Sequence, residues 1–212
     1  MRKKLQAYLF WVLLIFLAVG LVYPPIGVVA LTCMLAPVVI APFKGRYWCG
    51  NFCPRGSFWD NVLARVSPQK PIPPFFRSKG FRIFMVLLIF TVFGVQMYYA
   101  WGDLAAIGMV FVRIILVTTL VGIGLAFVYH HRTWCSFCPM GTLASWLSAK
   151  PQPKPLAVSD ACVGCKLCTT ACPLQLSPYE AKGSKTGFVH SDCLKCSRCV
   201  EKCPKKALSF GQ

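Results

Sequence analysis

The chain has 212 residues, of which 56% are hydrophobic and only 14% are charged, and its formal net charge is +17. A soluble domain carries about 25% charged residues, so this composition excludes an ordinary soluble protein. The apolar excess lies in four runs within residues 1–130, whereas the C-terminal part resembles a soluble domain. The change in composition near Ser148–Pro155 predicts two domains, residues 1–150 and 151–212.

The four apolar runs predict transmembrane helices over Leu5–Val22, Ile26–Phe43, Phe81–Trp101 and Ile107–His130. A bilayer core requires about 20 mostly apolar residues in a helix, and each run is near or above the lower limit. None of them has the polar face that a helix of a soluble core needs. The first run is too long for a signal peptide and has no small-x-small cleavage site, so we expect it to be retained. Pro37 should kink the second helix.

The basic residues predict the orientation of these helices. They precede the first helix, fill the loop between the second and third, and follow the fourth, whereas Tyr23–Pro25 and Gly102–Ala106 contain neither Lys nor Arg. The positive-inside rule therefore predicts both termini and the C-terminal domain on the cytoplasmic side of the inner membrane. The charge suits anionic lipid headgroups. Nucleic acid is not an expected partner, because no recognition motif accompanies the charge.

Eight cysteines near the C-terminus follow the pattern C-x2-C-x2-C-x3-C-P twice. In this pattern three cysteines bind one 4Fe–4S cluster, and the fourth reaches the other cluster. Cluster I should take Cys162, Cys165, Cys168 and Cys203, and cluster II should take Cys193, Cys196, Cys199 and Cys172. Zinc ribbons use paired C-x2-C knuckles instead, and disulfides do not suit a reducing cytoplasm. The segment 158–212 resembles bacterial ferredoxins with two 4Fe–4S clusters.

The first 150 residues contain an internal repeat. Arg46-Tyr-Trp-Cys-Gly-Asn-Phe-Cys-Pro-Arg-Gly follows the second helix, and Arg132-Thr-Trp-Cys-Ser-Phe-Cys-Pro-Met-Gly follows the fourth. Both motifs continue into short amphipathic stretches, Ser57–Val66 and Thr142–Ser148. Two hairpins of equal orientation can be related by an axis along the membrane normal, which would bring both motifs together at the cytoplasmic face.

Four thiolates at that face would suffice for a third cluster, with the arginines offsetting its negative charge. These candidate ligands are Cys49, Cys53, Cys135 and Cys138. Two dithiol or disulfide pairs, a zinc or copper site, or a site for a partner's cofactor are the alternatives. Of the thirteen cysteines, only Cys33 is then unassigned, and it is most simply a small buried apolar residue.

Twin W-C-x(2–3)-C-P-x-G motifs, four helices and a C-terminal two-cluster segment resemble the NapH/NosR-type membrane iron–sulfur proteins. In layout the chain is most similar to the membrane subunit of quinol dehydrogenases in periplasmic nitrate reductase systems. The resemblance implies an all-α membrane domain of four transmembrane helices in two repeated hairpins, followed by a small α+β ferredoxin-like domain. It also implies functional roles for the cysteines of both motifs. The second motif has one residue fewer between its cysteines than the first.

The function that this resemblance implies is electron transfer between the quinone pool and a partner redox protein, as a subunit of a quinol dehydrogenase or a related respiratory oxidoreductase. We expect the path to run through the membrane-edge motifs and then clusters I and II. The alternative is an assembly or regulatory protein of a respiratory metalloenzyme, which supplies electrons to reduce a metal or thiol. A third hypothesis is a passive tether with structural Cys-Pro turns.

Few polar residues could bind a quinone. His130 and His131, beside the second motif, are the candidates for holding its carbonyls and moving protons, and interfacial anchoring is the alternative. Asp60 is expected to form a structural ion pair with Arg55 or Arg46. The sequence has no flavin, nicotinamide or P-loop fingerprint.

Overall fold

The computed structural model describes residues 2–148, 155–184 and 186–210. The helices are, in chain order, α1 (Arg2–Val22), α2 (Ala30–Lys44), α3 (Tyr47–Asn51), α4 (Pro54–Asn61), α5 (Lys79–Tyr99), α6 (Leu104–Val128), α7 (Thr133–Phe137), α8 (Pro139–Leu147), α9 (Leu167–Ala171) and α10 (Arg198–Lys202). Short 3-10 helices cover Pro24–Val29, Leu63–Arg65, Pro74–Arg77 and Pro178–Ala181. The predicted boundary between residues 150 and 151 lies outside the described residues.

Three helical segments among the described residues are long and apolar enough to cross a membrane: Pro24–Lys44, Lys79–Tyr99 and Leu104–Val128. The apolar part of α1 that was searched, Gln6–Val22, is shorter, so a fourth span remains a prediction. Both α5 and α6 begin two or three residues before the predicted apolar runs. The reason is polar capping, because Ser78 accepts a hydrogen bond from the Phe81 amide at α5 and Asp103 caps α6 in the same way.

The two hairpins pack together at the end opposite the cysteine motifs. The 3-10 segment Pro24–Val29 crosses the N-terminal part of α6, where Gly27 and Gly108 face each other. A Cβ atom on Gly27 would overlap the carbonyl of Gly108, and one on Gly108 would overlap the carbonyl of Pro24. Small residues of this kind allow the backbones of membrane helices to approach closely.

Each Cys-Pro pair of the repeat starts a short helix. Cys53 is the N-cap of α4 and Cys138 is the N-cap of α8, with proline in the first turn of each. Proline fits there because its missing N–H is one that a helix terminus leaves unpaired anyway. The Sγ atom of Cys53 accepts a hydrogen bond from the amide of Gly56 at 3.4 Å. The stretch predicted over Ser57–Val66 is therefore divided between the end of α4 and the 3-10 helix Leu63–Arg65, whereas the stretch Thr142–Ser148 lies almost entirely in α8.

The C-terminal part, which we call the head, is built around a two-stranded antiparallel sheet. Strand β1 (Leu156–Val158) pairs with β2 (Leu208–Phe210), and Ala157 lies opposite Ser209. The sheet joins the two ends of the head, and α9 and α10 lie between them in sequence. Leu156, Cys168 and Leu208 form part of its buried core.

Candidate functional site

Three cavities in the structure are lined by the cysteines of the motifs. The membrane-edge cavity is lined by Cys49, Cys53, Cys135 and Cys138, and also by Cys33 of α2. The cluster I cavity is lined by Cys162, Cys165, Cys168 and Cys203, and the cluster II cavity by Cys172, Cys193, Cys196 and Cys199. The fold thus places each predicted group of four around one cavity. All thirteen cysteines have free thiols, and Cys33, which was expected to be buried, is exposed.

The donors of these cavities suit iron–sulfur clusters. In a 4Fe–4S cluster each thiolate binds a different iron, and each predicted set of four cysteines supplies one thiol per iron. Within the described residues, no three His, Cys, Asp or Glu side chains form a group that could hold a single metal ion.

In the membrane-edge cavity, the arginine of each Cys-Pro motif donates a hydrogen bond to the other motif. Nη2 of Arg46, from the first motif, donates to the carbonyl of Cys135 in the second at 2.7 Å. Nη1 of Arg132, from the second, donates to the carbonyl of Cys49 in the first at 3.4 Å. The repeat is therefore a reciprocal structure in which each arginine fastens the opposite motif.

These crossing arginines also explain why each Cys-Pro-x-Gly sequence ends in glycine. A Cβ atom on Gly141 would overlap Nη2 of Arg46, and one on Gly56 would lie 2.9 Å from Nη1 of Arg132. A side chain at either position would displace the guanidinium group that crosses from the other motif. The glycines are thus required for space, although both belong to helices.

Each buried arginine is paired with a carboxylate. Arg132 holds Asp60 through two hydrogen bonds, 2.8 Å from Nε and 2.6 Å from Nη2, and Arg198 of the head lies 2.6 Å from the same carboxylate. The predicted pairing of Asp60 with Arg55 or Arg46 is wrong. Arg55 instead donates to the hydroxyl of Thr118 at 2.6 Å, and Asp60 meets its partners only because the two repeats and the head pack together.

The carboxylate partner of Arg46 comes from the head. Asp192 accepts from Nη1 of Arg46 at 2.9 Å and from Arg82 on α5 at 3.2 and 2.7 Å. Asp60 stands seven residues after Cys53, and the residue seven after Cys138 is Ser145. Ser145 is buried and hydrogen-bonded to Asp192. The second repeat therefore lacks its own acid, and the head supplies one.

These charges oppose the effect of burial on the thiols. Burial raises the pKa of Cys53 to about 12 and also raises that of Cys49, where the guanidinium of Arg46 acts in the opposite direction. Arg132 donates to Sγ of Cys135 at 3.4 Å. Cluster ligands are thiolates, so buried cations beside the thiols favour the form that binds iron. Burial also disfavours ionised Asp60, but Arg132 holds the pKa of that carboxyl well below its ordinary value.

The histidine pair lies behind this site and not among the residues that line the membrane-edge cavity. His130 and His131 are buried, and their rings lie 4.1 Å apart. Nδ1 of His130 accepts from the backbone amide of Arg132 at 3.2 Å, and Nε2 of His131 lies 3.5 Å from Asp60. This geometry favours positioning of the Arg132–Asp60 pair over contact with a quinone.

The membrane-edge cavity also has an apolar extension that the sequence motifs did not indicate. Its volume is about 170 Å³, against about 20 Å³ for each cavity of the head. The additional wall comes from α1 and α2 and includes Val12, Leu13, Phe16, Met34 and Pro37. These residues belong to uniformly apolar runs, so no local pattern distinguishes them from lipid-facing neighbours.

The cluster II cavity lies against the membrane edge. Leu194, between two cysteines of that cavity, is buried and belongs to an apolar cluster that Cys49 and Cys135 also contact. A Cβ atom on Gly50 would overlap the carbonyl of Leu194, so the two backbones touch. The order of the sites is therefore membrane edge, cluster II, cluster I, which reverses the predicted order of the two head clusters.

Comparisons with known proteins agree with this arrangement. A 4Fe–4S binding domain model matches residues 26–73 and 104–155, and a 4Fe–4S dicluster domain model matches residues 154–204. An uncharacterized protein of Methanocaldococcus jannaschii is 27% identical over 82% of this chain and 75% of its own length. The ferredoxin-type protein NapH of Haemophilus influenzae is 26% identical over 86% of this chain and 69% of its own. The NrfC protein of Escherichia coli is 40% identical over 24% of this chain and 26% of its own.

No solved structure matches significantly. The resemblance to NapH-type 4Fe–4S proteins is confirmed, and with it iron–sulfur electron transfer.

Proposed function

We propose that this NapH-type 4Fe–4S protein is bound to the cytoplasmic membrane and passes electrons between the quinone pool and a partner redox protein. The observation that carries the proposal is the succession of three cysteine-lined cavities, of which the first opens into an apolar space between α1 and α2. Such an order provides an entry for a lipid-soluble carrier at one end and an exit to a protein at the other.

The proposed ligands are the four motif cysteines of each cavity, and Cys33 is not among them. Clusters held there would supply one-electron carriers, which is the chemistry that Cys-ligated iron provides. The match of a 4Fe–4S binding domain to the segments that contain both Cys-Pro motifs supports a third cluster at the membrane edge. The residues around it have defined tasks. Arg46 and Arg132 compensate negative charge, Asp60 and Asp192 hold those arginines in place, and Leu194 excludes water between neighbouring sites.

The apolar extension of the membrane-edge cavity is the proposed quinone site. Quinone sites combine an apolar slot with a few polar donors. Here Leu13, Phe16 and Met34 supply the slot, and Arg55 lines the same cavity. One hydrogen bond and the ring of Trp134, 5.6 Å away, hold the guanidinium of Arg55. Its remaining N–H groups are suited to donate to a quinone carbonyl.

The proposed topology is four transmembrane helices with the head on the cytoplasmic side. Three apolar helices and the NapH relative support a membrane protein, and the distribution of basic residues supports the orientation. All three cavities would then lie at or beyond the cytoplasmic surface, where a reducing environment keeps thiols available for iron.

The test is the iron and acid-labile sulfide content of the full chain, purified without oxygen. Three clusters require about twelve irons per chain. Replacement of Cys49 and Cys135 by Ser should leave about eight irons, whereas Cys33→Ser should leave all twelve. Menaquinol in proteoliposomes should reduce the wild-type centres and not those of the C49S/C135S variant. About eight irons in the wild type would refute the third cluster, and reduction by menaquinol in both proteins would refute entry at the membrane edge.

A further inference from the structure

Among the described residues, the head contacts residues 2–148, which we call the membrane half, through one side. The hydrogen bonds and ion pairs involve residues that precede, lie within or follow the cluster II cysteines: Leu174 to Arg77, Gln175 to Lys70 and Ile72, Ser191 to Ser148, Asp192 to Arg46 and Arg82, Lys195 to Asn51, and Arg198 to Asp60. The residues that line the cluster I cavity make no such bond within the described part of the chain. Cluster I therefore lies on the side of the head that faces away from the membrane half.

That outer side carries exposed lysines at the cluster I cavity. Lys166 and Lys205 line the cavity itself, and Lys206, next to Lys205 in the chain, is also exposed. We call this set the lysine rim. Asp160 and Glu201 are the exposed acidic residues nearby in sequence, so positive charge prevails.

The lysine rim surrounds a small apolar and accessible mouth. Val163 is 66% exposed and Leu167 is 40% exposed, and Cys165 of the same loop is exposed too. An apolar centre within a charged border is the arrangement that protein interfaces use. Charged borders also raise the rate of encounter with a partner of opposite charge.

From this geometry, and resting on the proposed function, we infer that the lysine rim docks a redox protein with an acidic face over cluster I. Charge complementarity identifies the partner's chemistry. An anionic lipid surface shares that charge, but the membrane half lies on the opposite side of the head. The apolar mouth would also be of no use against lipid headgroups.

Binding of oxidised flavodoxin, a small acidic flavoprotein, to the full chain in zwitterionic nanodiscs tests this inference without electron transfer. Biolayer interferometry measures the affinity at about 0.02 M salt, where charge interactions are weakly screened, and at about 0.5 M salt, where they are strongly screened. We expect Lys166→Gln with Lys205→Gln to weaken binding roughly tenfold at low salt, with the difference vanishing at high salt. The conservative variant K166R/K205R should bind as the wild type does.

The matched control removes the same charge elsewhere. Lys44 and Lys79 are exposed and lie in the membrane half, outside the cluster I cavity, so K44Q/K79Q should change affinity less than about twofold. Equal weakening in both double variants, or no salt-dependent binding by the wild type, would overturn the inference. So would loss of wild-type binding in anionic nanodiscs with no effect of K166Q/K205Q in zwitterionic ones, because the lysines would then face lipid. Neither result alters the iron count, which tests the proposed function separately.

Discussion

Asp192 of the head lies 2.9 Å from Nη1 of Arg46 in the first Cys-Pro motif. In the other half of the repeat, Asp60 forms the equivalent ion pair with Arg132. The second repeat has Ser145 at the position equivalent to Asp60, so it has no acid of its own there. Asp192, which precedes the first cysteine of the cluster II loop, supplies the carboxylate instead. The broken symmetry of the membrane half thus specifies where the head docks.

The first prediction concerns this contact. Asp192→Asn leaves two buried guanidinium groups, those of Arg46 and Arg82, without a charged partner. Removal of one partner from a buried ion pair costs about 3–5 kcal/mol, so Tm in detergent should fall by several degrees. Asp160→Asn, at an exposed position, is the control and should leave Tm unchanged.

A second variant tests the role of the repeat itself. Ser145→Asp combined with D192N places a carboxylate on α8, as Asp60 provides one on α4. We expect it to restore much of the lost stability while the head is held less firmly than in the wild type, because the acid no longer comes from the head and only the other contacts, such as Arg198 to Asp60, fasten it. Limited proteolysis between the two halves reports docking. A double variant that is as unstable as D192N would show that Ser145 and Asp60 are not equivalent.

The third prediction concerns Gly141, against which Arg46 packs. Gly141→Ala should destabilise the protein by about 1–3 kcal/mol, which is the usual effect of overpacking. Gly94→Ala in α5, where nothing lies within 4 Å of the added Cβ atom, should instead stabilise by about 0.5–1 kcal/mol. Tm values of both variants give the comparison, and a decrease of equal size in the two would contradict the crossing of the arginines.

Local signals in the sequence predicted much of this structure. Apolar length located the helices, and ligand spacing grouped each set of four cysteines, because helix periodicity and cluster ligation are properties of short segments. The partners of Arg46 and Asp60 were not predictable in this way. They are 146 and 72 residues away in the chain. The packing of the head on the first repeat brings Asp192 to Arg46, and the packing of repeat on repeat brings Arg132 to Asp60. The apolar extension of the membrane-edge cavity was not predicted, because Phe16 and Met34 in its wall have the same apolar character as their lipid-facing neighbours in the sequence.

The fourth prediction is a loss of stability below about pH 6.5. Burial lowers the pKa of His130 to about 3 and lowers those of His131 and His190. Between these values and 6.5 the unfolded chain binds protons that the folded protein does not, so stability falls as the pH decreases, by at most about 1.4 kcal/mol per pH unit and group. The pKa values of Asp60 and Asp192 are depressed, so they add to acid sensitivity only below about pH 4. Tm of His130→Asn between pH 4.5 and 7 should depend less on pH than that of the wild type, and an identical slope would contradict a neutral buried His130.

The last prediction links Arg132 to the potential of the membrane-edge centre. Arg132→Gln removes a positive charge and the hydrogen bond to Sγ of Cys135. Reduction adds negative charge beside that sulfur, so loss of the cation disfavours the reduced form and lowers the potential. A hydrogen bond to a charged group contributes about 1.5–3 kcal/mol, so the part of it gained on reduction shifts the potential by at most roughly 60–130 mV for one electron. Redox titration followed by electron paramagnetic resonance should show one centre shifted to lower potential and the two head centres unmoved. Arg65→Gln, an exposed position outside the cavity, should shift none of them. An unchanged set of three potentials in the R132Q variant would mean that Arg132 only fastens the two motifs together and does not tune the centre between them.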